Sequence, residues 1–538
     1  MTADRILARI FRCLLIVSMA CGGACSTRYW IEDADLEVDD VLDGRTKAVR
    51  TRRINELKQP LPEAESPADE SLTPATDDSG GGGGGEPPVE IDLDSALAIA
   101  VRANRGYLSR REALYQSGLS YSLTEFQFSP QVSSTLSYLF ADSEDAVGNH
   151  SANSGFSVRQ ILPTGGSLSF TSSFNGLWPE GGQASGNNSF GSSVGVNFSQ
   201  PLLRGGGYLV AWESLTQAQR SLIYSIRDFE MFREDFSIDV ANRFFDLVSQ
   251  KESLNNQERR YEEAVFDREL AEALRSVDRQ DDQAVFIARR QEIIANNDLL
   301  TARATYDRAL DEFKIFLGMT TSTEIVIKEV QPPFDPVRID RDSAVEVARN
   351  NRLDIRTQRE RLEDSRRGLM IAEDSLLPDL SLDIGYGLGG GGTTLGRALP
   401  DDYSYTAGVS LTVPLQRKAE RNGYVSSLIA FRQAKRDFEE SLDRLELDIR
   451  GQLRDLRSVE LQIQLQKDQI RQENQAVAVT QIRYENGEAS NRDLNDARQS
   501  LTDAKNRLIQ LQVQHFINRL RLLRNLGLLF IDSKGKWQ

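Results

Sequence analysis

Two carboxylates three residues apart, Asp493 and Asp496, close the run Arg483-Tyr484-Glu485-Asn486-Gly487-Glu488-Ala489-Ser490-Asn491-Arg492-Asp493-Leu494-Asn495-Asp496. A glycine between two helix-period stretches supplies the left-handed backbone of a tight turn, and positions three apart on the next helix share a face. Such a pair either presents charge to cations or sits in the first turn as a favourable partner of the helix dipole. No nucleophile motif, metal-ligand spacing or phosphate loop accompanies the carboxylates, so neither enzymatic catalysis nor a cofactor is expected. Two histidines, His150 and His515, are too few for a multi-histidine metal site. The segment Gly385-Tyr386-Gly387-Leu388-Gly389-Gly390 fits the glycine spacing of a dinucleotide turn, but no helix period follows it, so it reads as a loop between strands.

The three cysteines, Cys13, Cys21 and Cys25, all lie in the first 25 residues. Arg5, Arg9 and Arg12 precede the apolar run Leu14-Leu15-Ile16-Val17, and small residues follow it, which is the pattern of a secretory signal. That run is too short to span a bilayer as a helix. A cysteine after Gly-Ala or Met-Ala resembles the bacterial lipoprotein signal, in which the cysteine is acylated and becomes the new N-terminus. Cys25 is the favoured anchor and Cys21 the alternative; a soluble-export signal competes, because neither has the usual leucine three residues upstream.

Of the net charge of −16, residues 31–90 contribute −10, with 16 acidic and 6 basic side chains. An acidic chain has the wrong sign for binding phosphate backbones, so nucleic acid is not an expected partner. With six prolines between Pro60 and Pro88 and the run Gly80–Gly85, residues 26–90 read as a disordered tether after the 1–25 signal.

The positioning elements come in two copies. A shift of 248 residues superposes Ile91, Asp92, Asp94, Ser95 and Ala96 on Ile339, Asp340, Asp342, Ser343 and Ala344, with 14 identities in the 48 positions from Ile91. A shift of 209 superposes Ala288, Leu317 and Gly318 on Ala497, Leu526 and Gly527, so the first half carries about 39 extra residues. The repeats are 91–330 and 331–538. Each opens with a helix period ending at Pro130 or Pro378, after which the period becomes two. Val132, Leu136, Tyr138 and Phe140 take one face of a strand and Ser133, Thr135 and Ser137 the other. Leu380, Leu382, Ile384 and Tyr386, then Tyr403, Tyr405, Val409 and Leu411, repeat the pattern, as strands between lipid and water do.

Pro201 and Pro414 mark strand-to-helix junctions, beyond which no proline occurs before Pro332 or after Pro414. Phe229, Phe232, Phe236, Val240 and Phe244, and Leu494, Ala497, Leu501, Ala504 and Leu508, alternate spacings of three and four, the coiled-coil period. Folding each tract once, near Asp278 or Gly487, predicts antiparallel helices of roughly 50 residues, about 75 Å long.

This order, with its Arg-x-x-x-Gly turn at Arg483–Gly487, resembles the TolC-like outer-membrane efflux family from residue 91 to about 530. The resemblance implies a mainly α fold with transmembrane β, in which a homotrimer forms one β-barrel in the bacterial outer membrane and one α-helical barrel in the periplasm. It implies a passive exit duct of a tripartite export or type I secretion system, working with a periplasmic adaptor, an inner-membrane transporter and outer-membrane lipid. It makes Asp493 and Asp496 the periplasmic gate and Arg483, Tyr484 and Gly487 the adaptor-docking tip. The first-half turn, Leu274 to Asp282, departs from the pattern by lacking the glycine. The extra residues there, around Phe156–Phe170, read as a further hairpin that either adds strands to the family's usual four per protomer or lengthens a loop. The alternative function is a lipid-anchored structural coiled-coil protein of the envelope, which requires no lipid-facing strands.

Overall fold

The computed structural model describes residues 27–56, 89–143, 146–179, 188–276, 282–328, 330, 332–486, 488–532 and 535–537. In chain order the elements are α1 (Thr27–Glu56), β1 (Val89–Ile91), α2 (Leu93–Ala103), α3 (Arg105–Gln127), β2 (Gln131–Ser143), β3 (Ala146–Ile161), β4 (Ser167–Pro179) and β5 (Ser189–Pro201). A single turn, α4 (Tyr208–Ala211), then precedes the long helices α5 (Glu213–Ser276) and α6 (Asp282–Leu317). After β6 (Ile325–Ile327) the same order runs again with fewer strands: α7 (Arg341–Asn351), α8 (Leu353–Asp374), β7 (Asp379–Gly392), β8 (Asp402–Thr412), α9 (Lys418–Glu485) and α10 (Asn491–Asn525). The fold is mainly helical. Two compact units share the chain: one holds α1, Ala113–Ile226 and Thr357–Glu439, the other β1 through Glu112, Arg227–Arg356 and Glu440–Gln538.

In the first unit all six long strands form one antiparallel sheet in the order β2-β3-β4-β5-β7-β8. Because side chains alternate along each strand, the register decides what shares a face. Val132, Val158, Phe170, Val196, Tyr386 and Tyr405 lie on one face, joined rung by rung through the pairs Val132↔Val158, Val158↔Phe170, Phe170↔Val196, Val196↔Tyr386 and Tyr386↔Tyr405. The opposite face carries serine, glycine, threonine and asparagine, with hydroxyl pairs Ser133–Ser157 at 2.7 Å, Ser173–Ser193 at 2.8 Å and Ser381–Ser410 at 2.8 Å. The glycine-rich Gly385–Gly390 lies inside β7, bonded to β5 and β8 on its two sides, so it is strand where a loop is expected.

The same unit corrects the tether. Where composition predicts no fold for 26–90, Thr27–Glu56 is helical because Val38, Val41 and Leu42 form an apolar stripe under the charge. Val41 and Leu42 pack on Tyr121, Leu222 and Ile226, and Val38 is fully buried. A Cβ on Gly118 would come within 2.9 Å of Val38, so α1 sits tight on α3. Tyr115 donates to Asp35 at 2.5 Å and Arg45 donates to the Tyr121 hydroxyl at 2.8 Å. The rest of the expected tether, and Cys21 and Cys25, fall outside the described residues.

The second unit is helical around a core that includes Leu97, Phe236, Val240, Phe244, Leu247, Leu317 and Phe516, with the parallel pair β1–β6 at its side. Sequence identities become explicable as caps. Asp92 accepts from the Ser95 N–H at 2.8 Å to start α2, and Asp340 accepts from the Ser343 N–H at 3.3 Å to start α7. Gly318 and Gly527, at φ +81° and +70°, end α6 and follow α10. The helical hairpins turn where expected, but their arms are unequal, 64 and 36 residues in α5 and α6, 68 and 35 in α9 and α10, where equal arms of roughly 50 are predicted. The turns sit close to the glycine-terminated ends of the tracts, which shortens the second arm.

Candidate functional site

The tip of the second hairpin is built by the end of α9, the turn after it and the start of α10. Ser490 is the N-cap of α10, and the third helical residue is Asp493, which makes the pair a capping box. The Asp493 carboxylate accepts from the Ser490 hydroxyl at 2.7 Å and from its N–H at 2.9 Å. These bonds, with Arg492 a smaller contributor, hold its carboxyl below the usual range. Asp496 is exposed and lies 3.7 Å from Arg492, one helical turn back. The two carboxylates therefore differ within one chain: Asp493 folds back onto the cap, and Asp496 stands in solvent beside an arginine. Between them Leu494 is fully buried and fixes the face that α10 turns inward.

The carbonyl of Arg483 accepts from the N–H groups of Glu488 at 2.8 Å and Ala489 at 3.2 Å, closing the turn through its backbone and leaving its side chain exposed. Tyr484 is buried at 7 % exposure, so its ring belongs to the hairpin's interior. Gly487 lies outside the described residues. At the strand ends, Pro201 is the last residue of β5 and Pro414 follows β8 by two positions. The Leu202 N–H then bonds to the Leu380 carbonyl at 2.7 Å, and Arg417 donates to the Leu376 carbonyl at 2.8 Å.

Residue spacing misses the strongest polar link near this tip. Arg498 on α10 reaches Asp267 on α5 at 2.7 Å, the Gln481 side-chain Oε1 on α9 at 3.0 Å and Glu263 at 3.7 Å. Burial pushes the Asp267 carboxyl up, against the pull of Arg498, so the pair is held in a low-dielectric setting. Asp267 and Arg498 are 231 positions apart, and no local signal pairs them. The first hairpin, without a glycine, closes by charge: Arg275 meets Asp282 at 2.5 Å, Arg268 meets Glu292 at 2.8 Å and Arg289 meets Glu272 at 2.9 Å. Arg289 thereby lowers the carboxyl of Glu272.

The two histidines are taken up by packing. His150 on β3 stacks on Trp178 and its Nδ1 lies 2.7 Å from the Tyr138 hydroxyl, while His515 is fully buried against Phe334. Among the described residues no helix is long and apolar enough to cross a membrane, and no cluster of three metal-ligating side chains occurs.

Residues 344–528 match the family model for outer membrane efflux proteins. No curated protein sequence matches the chain significantly. Several solved structures share the fold. The outer membrane protein VceC of Vibrio cholerae is 15% identical at a TM-score of 0.61, covering 81% of this chain and 96% of its own. The CmeC outer membrane channel of Campylobacter jejuni is 15% identical at 0.60, covering 87% and 94%. The open MtrE outer membrane channel of Neisseria gonorrhoeae is 16% identical at 0.58, covering 81% and 89%.

Proposed function

From a chain whose residues 344–528 match the family model for outer membrane efflux proteins, and whose fold is that of outer-membrane channels, we propose the exit duct of a tripartite export system. The protein resides in the outer membrane and extends into the periplasm. Three copies form the duct, which conducts passively; an inner-membrane transporter supplies the driving force and a periplasmic adaptor docks at Arg483, Tyr484 and Gly487. Asp493 and Asp496 of the three copies ring the periplasmic entrance, and Cys25, or else Cys21, carries the lipid. Repeats 91–330 and 331–538 descend from one duplicated unit, a reading supported by the matching caps Asp92 and Asp340 and the matching glycines Gly318 and Gly527.

One observation carries the duct reading above the others. The sheet is apolar on one face, polar on the other, and has an unpaired strand at each edge. Lipid satisfies the apolar face, but it satisfies no backbone N–H or C=O, so β2 and β8 need partners from further copies. A lipid-anchored structural coiled coil has no use for such a sheet. The test is the mass of the detergent-extracted full chain, with conductance in planar bilayers. We expect a homotrimer that conducts; a monodisperse monomer overturns the architecture, and a trimer without conductance favours the structural alternative.

A further inference from the structure

The first half inserts a hairpin between the strands that correspond to β7 and β8. At the shift of 248, β2 corresponds to β7; beyond the insertion, β5, closing in Gln200-Pro201 before Leu202, corresponds to β8, which is followed by Val413-Pro414-Leu415. In the second half those two strands pair directly; in the first, β3 and β4 stand between them. We propose, on the basis of the duct reading, that this hairpin is part of the barrel wall. Three six-stranded copies then close an 18-stranded barrel with a wide bore.

Three features argue that the hairpin is wall and not a loop laid over it. Its register is unbroken against both neighbours, from Gln131↔Arg159 to Ala141↔Asn149 on one side and from Ser167↔Ser199 to Leu177↔Ser189 on the other. Its outer face continues theirs: Phe156, Val158, Phe170 and Phe174 lie on the same side as Val132 and Val196, and Trp178 stacks between His150 and Phe190 as a belt across β3, β4 and β5. Its turn is fitted to the junction below β5. Gly165, at φ +89°, has no room for a Cβ, which would lie 2.4 Å from the Gly205 carbonyl, and the Gly207 N–H bonds to the Thr164 carbonyl at 2.9 Å.

Geometry then sets the width. The strand number per chain is even, so β8 of one copy meets β2 of the next antiparallel, and closure keeps one pattern throughout. With strands about 4.8 Å apart and tilted about 40°, 18 strands make a wall about 36 Å across, against about 24 Å for twelve. Each wall takes about 5 Å of the bore, leaving about 26 Å in place of about 14 Å. The face that lines it on the hairpin is small and neutral at Asn153, Gly155, Ser157, Thr171 and Ser173, with Arg159 opposite Ser169 near the turn and Leu177 opposite Ser151 toward the other end. An α-helix is about 10–12 Å wide, so the wider bore takes two abreast where the narrower takes one.

The test places single cysteines in the full chain, reconstituted in liposomes and labelled with an environment-sensitive maleimide, with wild type setting the background from native cysteines. Phe156→Cys and Phe174→Cys report on the hairpin's outer face, Ile384→Cys on the outer face of β7. All three should be quenched by a spin label carried on the lipid tails and spared by aqueous iodide. Lipid quenching at Ile384→Cys with iodide quenching at the two hairpin positions overturns the 18-stranded wall and leaves the duct standing. Iodide quenching at all three overturns both. Where an aromatic replacement fails to insert, Ser157→Cys keeps the question open to measurement: a bulky polyethylene-glycol maleimide there should lower single-channel conductance at least about twofold if the site lines the bore. Unchanged conductance after complete labelling overturns the proposal.

Discussion

Asp493, proposed above as an entrance carboxylate, is held by the start of its own helix. As the third residue of the capping box it accepts from both the hydroxyl and the N–H of Ser490, and these bonds require the ionised carboxylate. Its folded pKa is thus below the unfolded value of about 3.9, so the cap's contribution is complete above that value and is lost as pH falls through the folded one. Hydrogen-exchange protection at residues 491–495 should be steady from neutral pH to about 4 and fall only below it. Asp493→Ala should lower protection at neutral pH and remove the acid transition, while Asp496→Ala leaves both intact. That Asp493 and Asp496 fall at the start of the hairpin's second helix was legible from spacing. The cap was legible only as one of two readings, because a first-turn aspartate and a ring carboxylate have the same sequence signature. Arg498 and Asp267 left no such trace, since a salt bridge between helices depends on which helices become neighbours.

At the scale of elements, periodicity identified faces and ends well, and neighbours poorly. Of the two stripes, Phe236, Val240, Phe244, Leu494 and Ala504 are buried, while Phe229, Phe232, Ala497, Leu501 and Leu508 are half-buried. The 39 extra residues were countable, but a period of two says which side chains share a face and nothing about which strand lies alongside. Helix α1 was hidden for a different reason: its apolar stripe is three residues long, Val38, Val41 and Leu42, and lies within Glu32–Asp43, which carries seven acidic side chains and no basic one. Helix ends, in contrast, follow from single residues. Gly318 stands at φ +81° and a Cβ there would lie 2.2 Å from the Ala103 carbonyl; at Gly527, φ +70°, the nearest atoms belong to Asn351 at 2.9 Å. Ala103 and Asn351 correspond under the same shift of 248 that relates the two halves. Gly318→Ala and Gly527→Ala should each cost more than about 1 kcal/mol by combining an unfavourable left-handed backbone with a steric clash. Thermal unfolding followed by circular dichroism should rank Gly318→Ala as the more damaging, because its clash is with a carbonyl oxygen at shorter range.

For the whole molecule, the threefold symmetry proposed above would turn local charge into a function that one chain lacks. A single Asp496 beside Arg492 is an exposed ion pair 3.7 Å across, weak in water. In the proposed homotrimer, three copies around one axis would bring six carboxylates from Asp493 and Asp496 toward a common mouth, where their fields would add and draw cations in. The reach of that field is set by salt, about 8–10 Å at physiological strength, so it acts on the entrance and not on the barrel exit. Because Asp493 also holds the start of α10, replacing both residues mixes a loss of charge with a loosened helix. Asp496→Ala removes half the ring charge and leaves the capping box in place. In planar bilayers this variant should lower cation-over-anion selectivity and weaken block by multivalent cations added on the periplasmic side, with both effects shrinking as salt is raised. Block from the opposite side should not change. Selectivity and block equal to wild type would return Asp496 to the role of a surface partner for Arg492, and the entrance charge would then have to come from the first hairpin, where Asp282 is already paired with Arg275.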